Sequence, residues 1–139
     1  MSTPSRPAFA VPVHLVVAVG LLALAIALLP ALRREQHLDR GQRALADDPG
    51  RALREARAAE GPATLQRARE LQVAADVDLG RLADAERVLR VMQRRTPEDQ
   101  MLLRGLFTVQ LGRGHRVAAR RTFRRLQQVD PRYTVGLGK

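Results

Sequence analysis

The second half of the sequence contains a pattern that recurs after 34 residues. Each copy has a glycine, an alanine, two larger apolar residues and a proline at the same spacing. The matched pairs are Gly80 and Gly114, Ala85 and Ala119, Leu89 and Phe123, Met92 and Leu126, and Pro97 and Pro131. Because one offset accounts for every pair, we interpret the two stretches as copies of one structural unit.

The residue types in this spacing predict a helical hairpin. Glycine permits a tight turn between two helices, and alanine allows the helices to approach closely. The larger apolar residues fill the contact, and proline ends the unit. The pattern resembles the tetratricopeptide repeat (TPR), a helix-turn-helix of about 34 residues. The resemblance implies an all-α fold, a short right-handed stack of hairpins that binds other proteins in a groove lined by the first helices.

The first helices follow the repeat pattern less closely than the second helices. The large residues of the last unit are Leu103, Leu106 and Phe107. In the middle unit the polar residues Arg69 and Gln72 stand 34 residues before Leu103 and Leu106, and Asp76 follows Gln72 one helical turn later. A shift of one residue gives the apolar set Ala68, Leu71 and Ala75. Both registers remain open for this helix.

Turn signals divide the rest of the chain. Asp48 followed by Pro49 is typical of a capped helix start, and Gly61 followed by Pro62 breaks the next helix. Between them Ala52, Ala56 and Ala59 share one helix face. We expect a degenerate first hairpin over 33–63, repeats over 64–97 and 98–131, and a tail over 132–139.

The N-terminal part contains a long uncharged stretch from Pro7 to Leu32. Its length and its content of Val, Leu, Ala and Ile predict a transmembrane helix over 8–32, after a disordered tail over 1–7. A cleaved signal peptide is the alternative. The apolar run is longer than a signal core and lacks a clear cleavage motif, which favours an uncleaved anchor.

The charges that flank this stretch predict its orientation. Arg6 precedes it, whereas Arg33, Arg34, Arg40 and Arg43 follow it. This bias favours a single-pass plasma-membrane protein whose repeat domain faces the cytoplasm. Within the stretch, alanines recur at every fourth residue, a spacing that either admits a close helix–helix contact or reflects the abundance of alanine. These alanines are Ala23, Ala27 and Ala31.

The sequence offers little catalytic or metal-binding chemistry. It has no cysteine, and its histidines, His14, His37 and His115, lie far apart without a second ligand at helical spacing. His14 lies at the edge of the apolar stretch and is the one candidate ligand for a haem or chlorophyll. The alternative is that it lies at the membrane interface and binds no cofactor. Acids such as Glu86 are interpreted as members of exposed ion pairs. We expect no enzyme activity, no cofactor and no metal.

Arginine dominates the C-terminal end of the chain. The net charge is +10, and residues 100–139 carry nine basic residues and one acidic residue. The helical stripes are Arg116, Arg120 and Arg124 on one line and Arg121 and Arg125 on a parallel line. Together with Arg104 they are the predicted partner contacts. The alternative is a polar cap that only keeps the terminal repeat in solution.

Together these features predict a membrane-anchored scaffold or assembly subunit that binds other proteins of a membrane complex. An acidic patch on a neighbouring subunit is the expected ligand of the arginines. The alternative function is an electrostatic module that binds anionic lipid or nucleic acid through the arginine-rich helix. Nucleic acid is disfavoured because the region has few aromatic residues on which bases could stack.

Overall fold

The computed structural model describes the backbone of residues 13–133 and the side chains of residues 21–133. The helices of this part are α1 (Val13–Ala44), α2 (Pro49–Ala58), α3 (Leu65–Asp78), α4 (Leu82–Arg95), α5 (Gln100–Gly112) and α6 (Arg116–Val129). The prediction of an all-α fold is confirmed for the described residues. The predicted tail over 1–7, most of the tail over 132–139 and the side chain of His14 lie outside them.

The helices pack in chain order, so that each one contacts the next, and α1 also contacts α3. Two hydrophobic clusters hold α1 to α5 together, and α6 packs on α5. The first joins α1, α2 and α3 through residues such as Leu38, Leu53 and Leu71. The second joins α4 and α5 through residues such as Leu89 and Leu106. The result is three consecutive hairpins, α1–α2, α3–α4 and α5–α6.

Helix α3 lies between α2 and α4 and is buried on more than one side. Ala68 and Ala75 belong to the first cluster, whereas Val73 packs against the second. The polar residues Gln72 and Asp76 are buried as well. The helix therefore buries residues from both of the registers that the sequence left open, because neighbours cover it on both sides.

Aspartates cap two of the helices. The Asp48 carboxylate accepts a hydrogen bond from the backbone N–H of Arg51 at 2.8 Å, at the start of α2. The Asp99 carboxylate accepts from the N–H groups of Met101 and Leu102 at 2.8 and 3.2 Å, at the start of α5. Each cap satisfies N–H groups that have no partner inside the helix, a contribution of about 1 kcal/mol.

The last two hairpins turn on glycine. Gly80 and Gly114 have φ angles of +69° and +74°, in the left-handed region that other residues rarely adopt. In both turns the residue after the glycine donates its N–H to a carbonyl five positions back, that of Asp76 at 2.7 Å and that of Gln110 at 2.8 Å. This is the Schellman ending of a helix, and it occurs twice at the 34-residue offset of the sequence pattern.

Helix α1 contradicts the prediction of a membrane-spanning segment. In the part of the chain that the structure describes, no helix has the length and apolar content needed to cross a bilayer. Helix α1 continues through Pro30 to Ala44. Its part after Leu32 carries charged residues, and Leu38 of this part packs in the first cluster. The predictions of a single-pass plasma-membrane protein and of a cytoplasmic repeat domain are therefore wrong.

Candidate protein-binding surface

The C-terminal end of the stack presents five arginines of α6, Arg116, Arg120, Arg121, Arg124 and Arg125, which we call the arginine face. All five side chains are exposed. Among residues 21–133 none of them forms an ion pair with a carboxylate. Helix α6 itself has no acidic residue. The face is therefore a concentration of uncompensated positive charge.

A groove lies beside the arginine face and is lined by α5 and α6. Its lining residues are Phe107, Leu111, Arg116, Ala119, Arg120 and Phe123, and its volume is about 240 Å³. The floor is apolar, with Leu111 47% exposed. The Phe107 and Phe123 rings pack with their centroids 5.4 Å apart. This groove, which we call the terminal groove, combines an apolar floor with an arginine rim.

Arg104, which the sequence analysis grouped with the arginine face, is paired with other residues of the chain. Its guanidinium is 3.1 Å from the Asp130 carboxylate and 4.8 Å from the centre of the Tyr133 ring. The Tyr133 ring in turn packs on Phe123 with centroids 6.1 Å apart. Arg104 is thus held by contacts within the chain, and the aromatic rings at this end pack on one another.

A buried polar cluster centred on Glu86 connects α4 to the last hairpin. The Glu86 side chain is 2% exposed and accepts hydrogen bonds from Arg113, from Arg90 at 2.5 Å and from Gln110 at 3.3 Å. The Gln110 side-chain oxygen accepts from the Thr122 hydroxyl at 2.8 Å. The prediction that Glu86 belongs to an exposed ion pair is therefore wrong. Its partners Gln110 and Arg113 come from a different hairpin, which is why local spacing gave no signal for them.

The cluster keeps Glu86 ionised. Burial by itself raises the pKa of the Glu86 carboxyl, because a charge is costly in a poorly solvated place. The hydrogen bonds from Arg113 and Gln110 and the charges of Arg90 and Arg113 outweigh burial, so the pKa lies below its ordinary value. The carboxylate is therefore a fixed negative charge at the α4–α5 contact.

Asp76 occupies the matching position in the middle hairpin, 34 residues before Gln110. It is 3% exposed, and its Oδ1 atom has no hydrogen-bond partner among the described residues. Burial, followed by the nearby Asp84 carboxylate, raises the pKa of Asp76 against the opposing charge of neighbouring arginines. This carboxylate costs stability when it is ionised, because nothing compensates its lost hydration fully.

The residues of the 34-residue pattern lie at turns and helix contacts. Two glycines make the turns, and the two prolines are exposed just after α4 and α6. The buried members are Ala85, Leu89, Met92, Ala119 and Leu126, with Phe123 half-buried.

The remaining candidate residues are not brought together. Ala23, Ala27 and Ala31 are exposed on α1. The His37 ring lies 2.6 Å from the Glu55 carboxylate, and the His115 ring lies 3.6 Å from that of Glu86. In residues 21–133 no group of three or more histidines and acids is close enough to hold a metal ion.

Comparison of the chain with protein-family models, with curated proteins and with solved structures gave no match. Function is therefore inferred from the chemistry of the surfaces described above.

Proposed function

We propose that this chain is a TPR-like helical scaffold that binds another protein through the C-terminal end of its stack. The observation that carries the proposal is the arginine face beside the terminal groove. Arginine and aromatic residues are enriched at protein interfaces, and an apolar patch rimmed by polar groups is typical of an interaction site. The helical hairpins and their 34-residue offset support the TPR-like assignment.

A purely solubilising role explains the arginine face less well. A solvating surface normally mixes positive and negative residues, since one sign alone creates a strong field. Here five positive side chains share one helix that has no acid. Such a field attracts an acidic surface and accelerates its encounter with the chain. The expected ligand is an acidic patch on a partner protein.

Nucleic acid fits the arginine face less well than protein does. Single strands bind sequence-independently through basic grooves with aromatic faces on which bases stack. Phe107, Phe123 and Tyr133 pack against one another in a row, with Arg104 over Tyr133. These contacts leave less ring surface for a base.

Capture of partners by the full chain tests the proposal. One variant changes the whole arginine face to glutamine, which removes five charges and keeps helix propensity. The matched control changes five exposed arginines elsewhere, namely Arg40, Arg43, Arg51, Arg54 and Arg94.

The proposal predicts that wild type and control retain protein partners in about 0.5 M salt, because apolar contacts in the groove and close guanidinium–carboxylate pairs buried beside it are screened much less than exposed charges. The arginine-face variant is expected to lose them. Equal capture by both variants would assign the arginine face to solubility alone. Loss of every partner from wild type as salt rises would favour an electrostatic module.

A further inference from the structure

The contact between α4 and α5 indicates what kind of segment could bind in the terminal groove. The inference drawn from it rests on the proposed function. In the second cluster, α5 covers the Ala85, Leu89 and Met92 side of α4, with Val73 and Leu82 at its margin. Gly105 allows the close approach, since a Cβ atom there would lie 3.3 Å from the Leu89 side chain.

The 34-residue offset maps this covered surface onto the end of the stack. The counterparts of Val73, Leu82, Ala85, Glu86 and Leu89 are Phe107, Arg116, Ala119, Arg120 and Phe123. These five counterparts all line the terminal groove. No described helix follows α6 to cover them. The groove is therefore shaped like the surface on which α5 packs, but it is open.

The charge of the two surfaces differs at the rim. Where α4 has the apolar Leu82 and the acidic Glu86, α6 has Arg116 and Arg120. On the inner contact, Gln110 of α5 donates to Glu86. A helix bound in the terminal groove has the Arg120 guanidinium where α5 has the Glu86 carboxylate. The group on that helix that complements Arg120 is therefore a carboxylate.

We infer that the terminal groove binds an acidic amphipathic helix of a partner protein, docked as α5 docks on α4. Its apolar residues follow the spacing of Leu102, Leu106 and Val109, with a small residue at the Gly105 position. Carboxylates stand at the positions of Gln110 and Arg113 and face Arg120. The sequence after Tyr133, TVGLGK, contains no acid and does not meet this requirement.

A synthetic helical peptide tests the inference against the full chain by fluorescence anisotropy. The peptide keeps the four α5 residues that face α4, Leu102, Gly105, Leu106 and Val109. It has glutamate at the positions of Gln110 and Arg113 and uncharged polar residues elsewhere. A scrambled peptide of the same composition is the control for charge alone.

The inference predicts that the designed peptide binds and that Arg120→Glu weakens it by about tenfold or more. Arginines in place of the peptide's two glutamates are expected to restore binding to that variant. Leu111→Asn tests the apolar floor without changing charge, and it is also expected to weaken binding. Arg43→Glu, a charge reversal at an exposed site of the first hairpin, is expected to have little effect.

Equal binding of the scrambled peptide would overturn the inference, because only charge would then be recognised. Absence of peptide binding would overturn it as well. So would self-association of the chain that competes with the peptide, since a second copy would then be the occupant. If the arginine face is still required for partner capture in those cases, the proposed scaffold function stands while the helix-docking geometry fails.

Discussion

Replacing Glu86 by glutamine tests how the last hairpin is attached to the stack. The side chain is 2% exposed and is surrounded by Arg90, Arg113 and Gln110. Glutamine keeps the size but loses the charge. Arg90 and Arg113 donate to different oxygens of Glu86, and glutamine has an NH2 donor in place of one of these oxygens. Two charge-assisted hydrogen bonds are therefore weakened together.

The two arginines do not contribute equally. The Arg90 side chain is 55% exposed and forms an i,i+4 pair, which is worth only about 0.3–0.5 kcal/mol. The Arg113 side chain is 29% exposed, and a hydrogen bond between charged groups in such a place contributes about 1.5–3 kcal/mol. We expect Glu86→Gln to reduce the free energy of unfolding by about 2 kcal/mol, or to lower Tm by about 10 °C in a folded part of about 100 residues.

The pH dependence gives this prediction a second readout. Because the folded pKa of Glu86 lies below its ordinary value of 4.5, the unfolded chain binds the proton more readily. The stabilisation by the ionised Glu86 carboxylate is complete above the ordinary pKa and is lost as pH falls through the lowered pKa of the folded state. The stability curves of wild type and Glu86→Gln are therefore expected to converge on acidification.

Urea unfolding followed by circular dichroism measures both effects. Glu98→Gln, at an exposed position after α4, is the matched control and is expected to change stability by less than about 0.5 kcal/mol. If Glu86→Gln were as stable as wild type at pH 7, the attachment of the last hairpin through this cluster would be refuted.

The remaining predictions concern turns, helix contacts and one buried acid. Gly80→Ala and Gly114→Ala each place a side chain at positive φ and are expected to cost about 1–2 kcal/mol in urea unfolding; unchanged midpoints would refute the left-handed turns. Ala85→Leu and Ala119→Leu overpack buried positions and are expected to cost about 1–3 kcal/mol; melts like the parent would refute the helix contacts. Asp76→Asn is expected to stabilise by about 1 kcal/mol at pH 7, because its raised pKa means that ionisation opposes folding. That gain should fade as pH falls, and a destabilised variant would contradict the reasoning.

Helix ends were predictable because their causes are local. The predicted cap, Asp48, bonds to an N–H group three residues away, and glycine is strongly favoured where φ is positive. This cap and the turn at Gly80 therefore follow from neighbouring residues alone. The same holds for the 34-residue offset, which depends only on residue spacing.

Burial of polar residues was not predictable in the same way. Glu86 has Arg90 one turn away, which suggests an ordinary surface pair, whereas its other partners are 24 and 27 residues distant. Asp76 is a charged residue of the kind that is usually exposed, but α3 packs between α2 and α4, and this packing buries it.

The membrane prediction, which the structure contradicts, rested on the length and the apolar composition of the stretch over 8–32. Helix α1 does not end at Pro30 but continues for 14 more residues, to Ala44. The packing of Leu38 against α2 and α3 makes its second half part of the helical stack.

Photocrosslinking from inside the terminal groove tests the central claim most directly. A photoreactive residue is placed at Leu111, which lines the groove and is 47% exposed. The control position is Met101 on the same helix, which is 80% exposed and does not line the groove. The account predicts crosslinks from position 111 to an acidic helical segment of a partner protein, identified by mass spectrometry, and none to that segment from position 101. Equal crosslinking from both positions, or no protein crosslink from position 111, would contradict it.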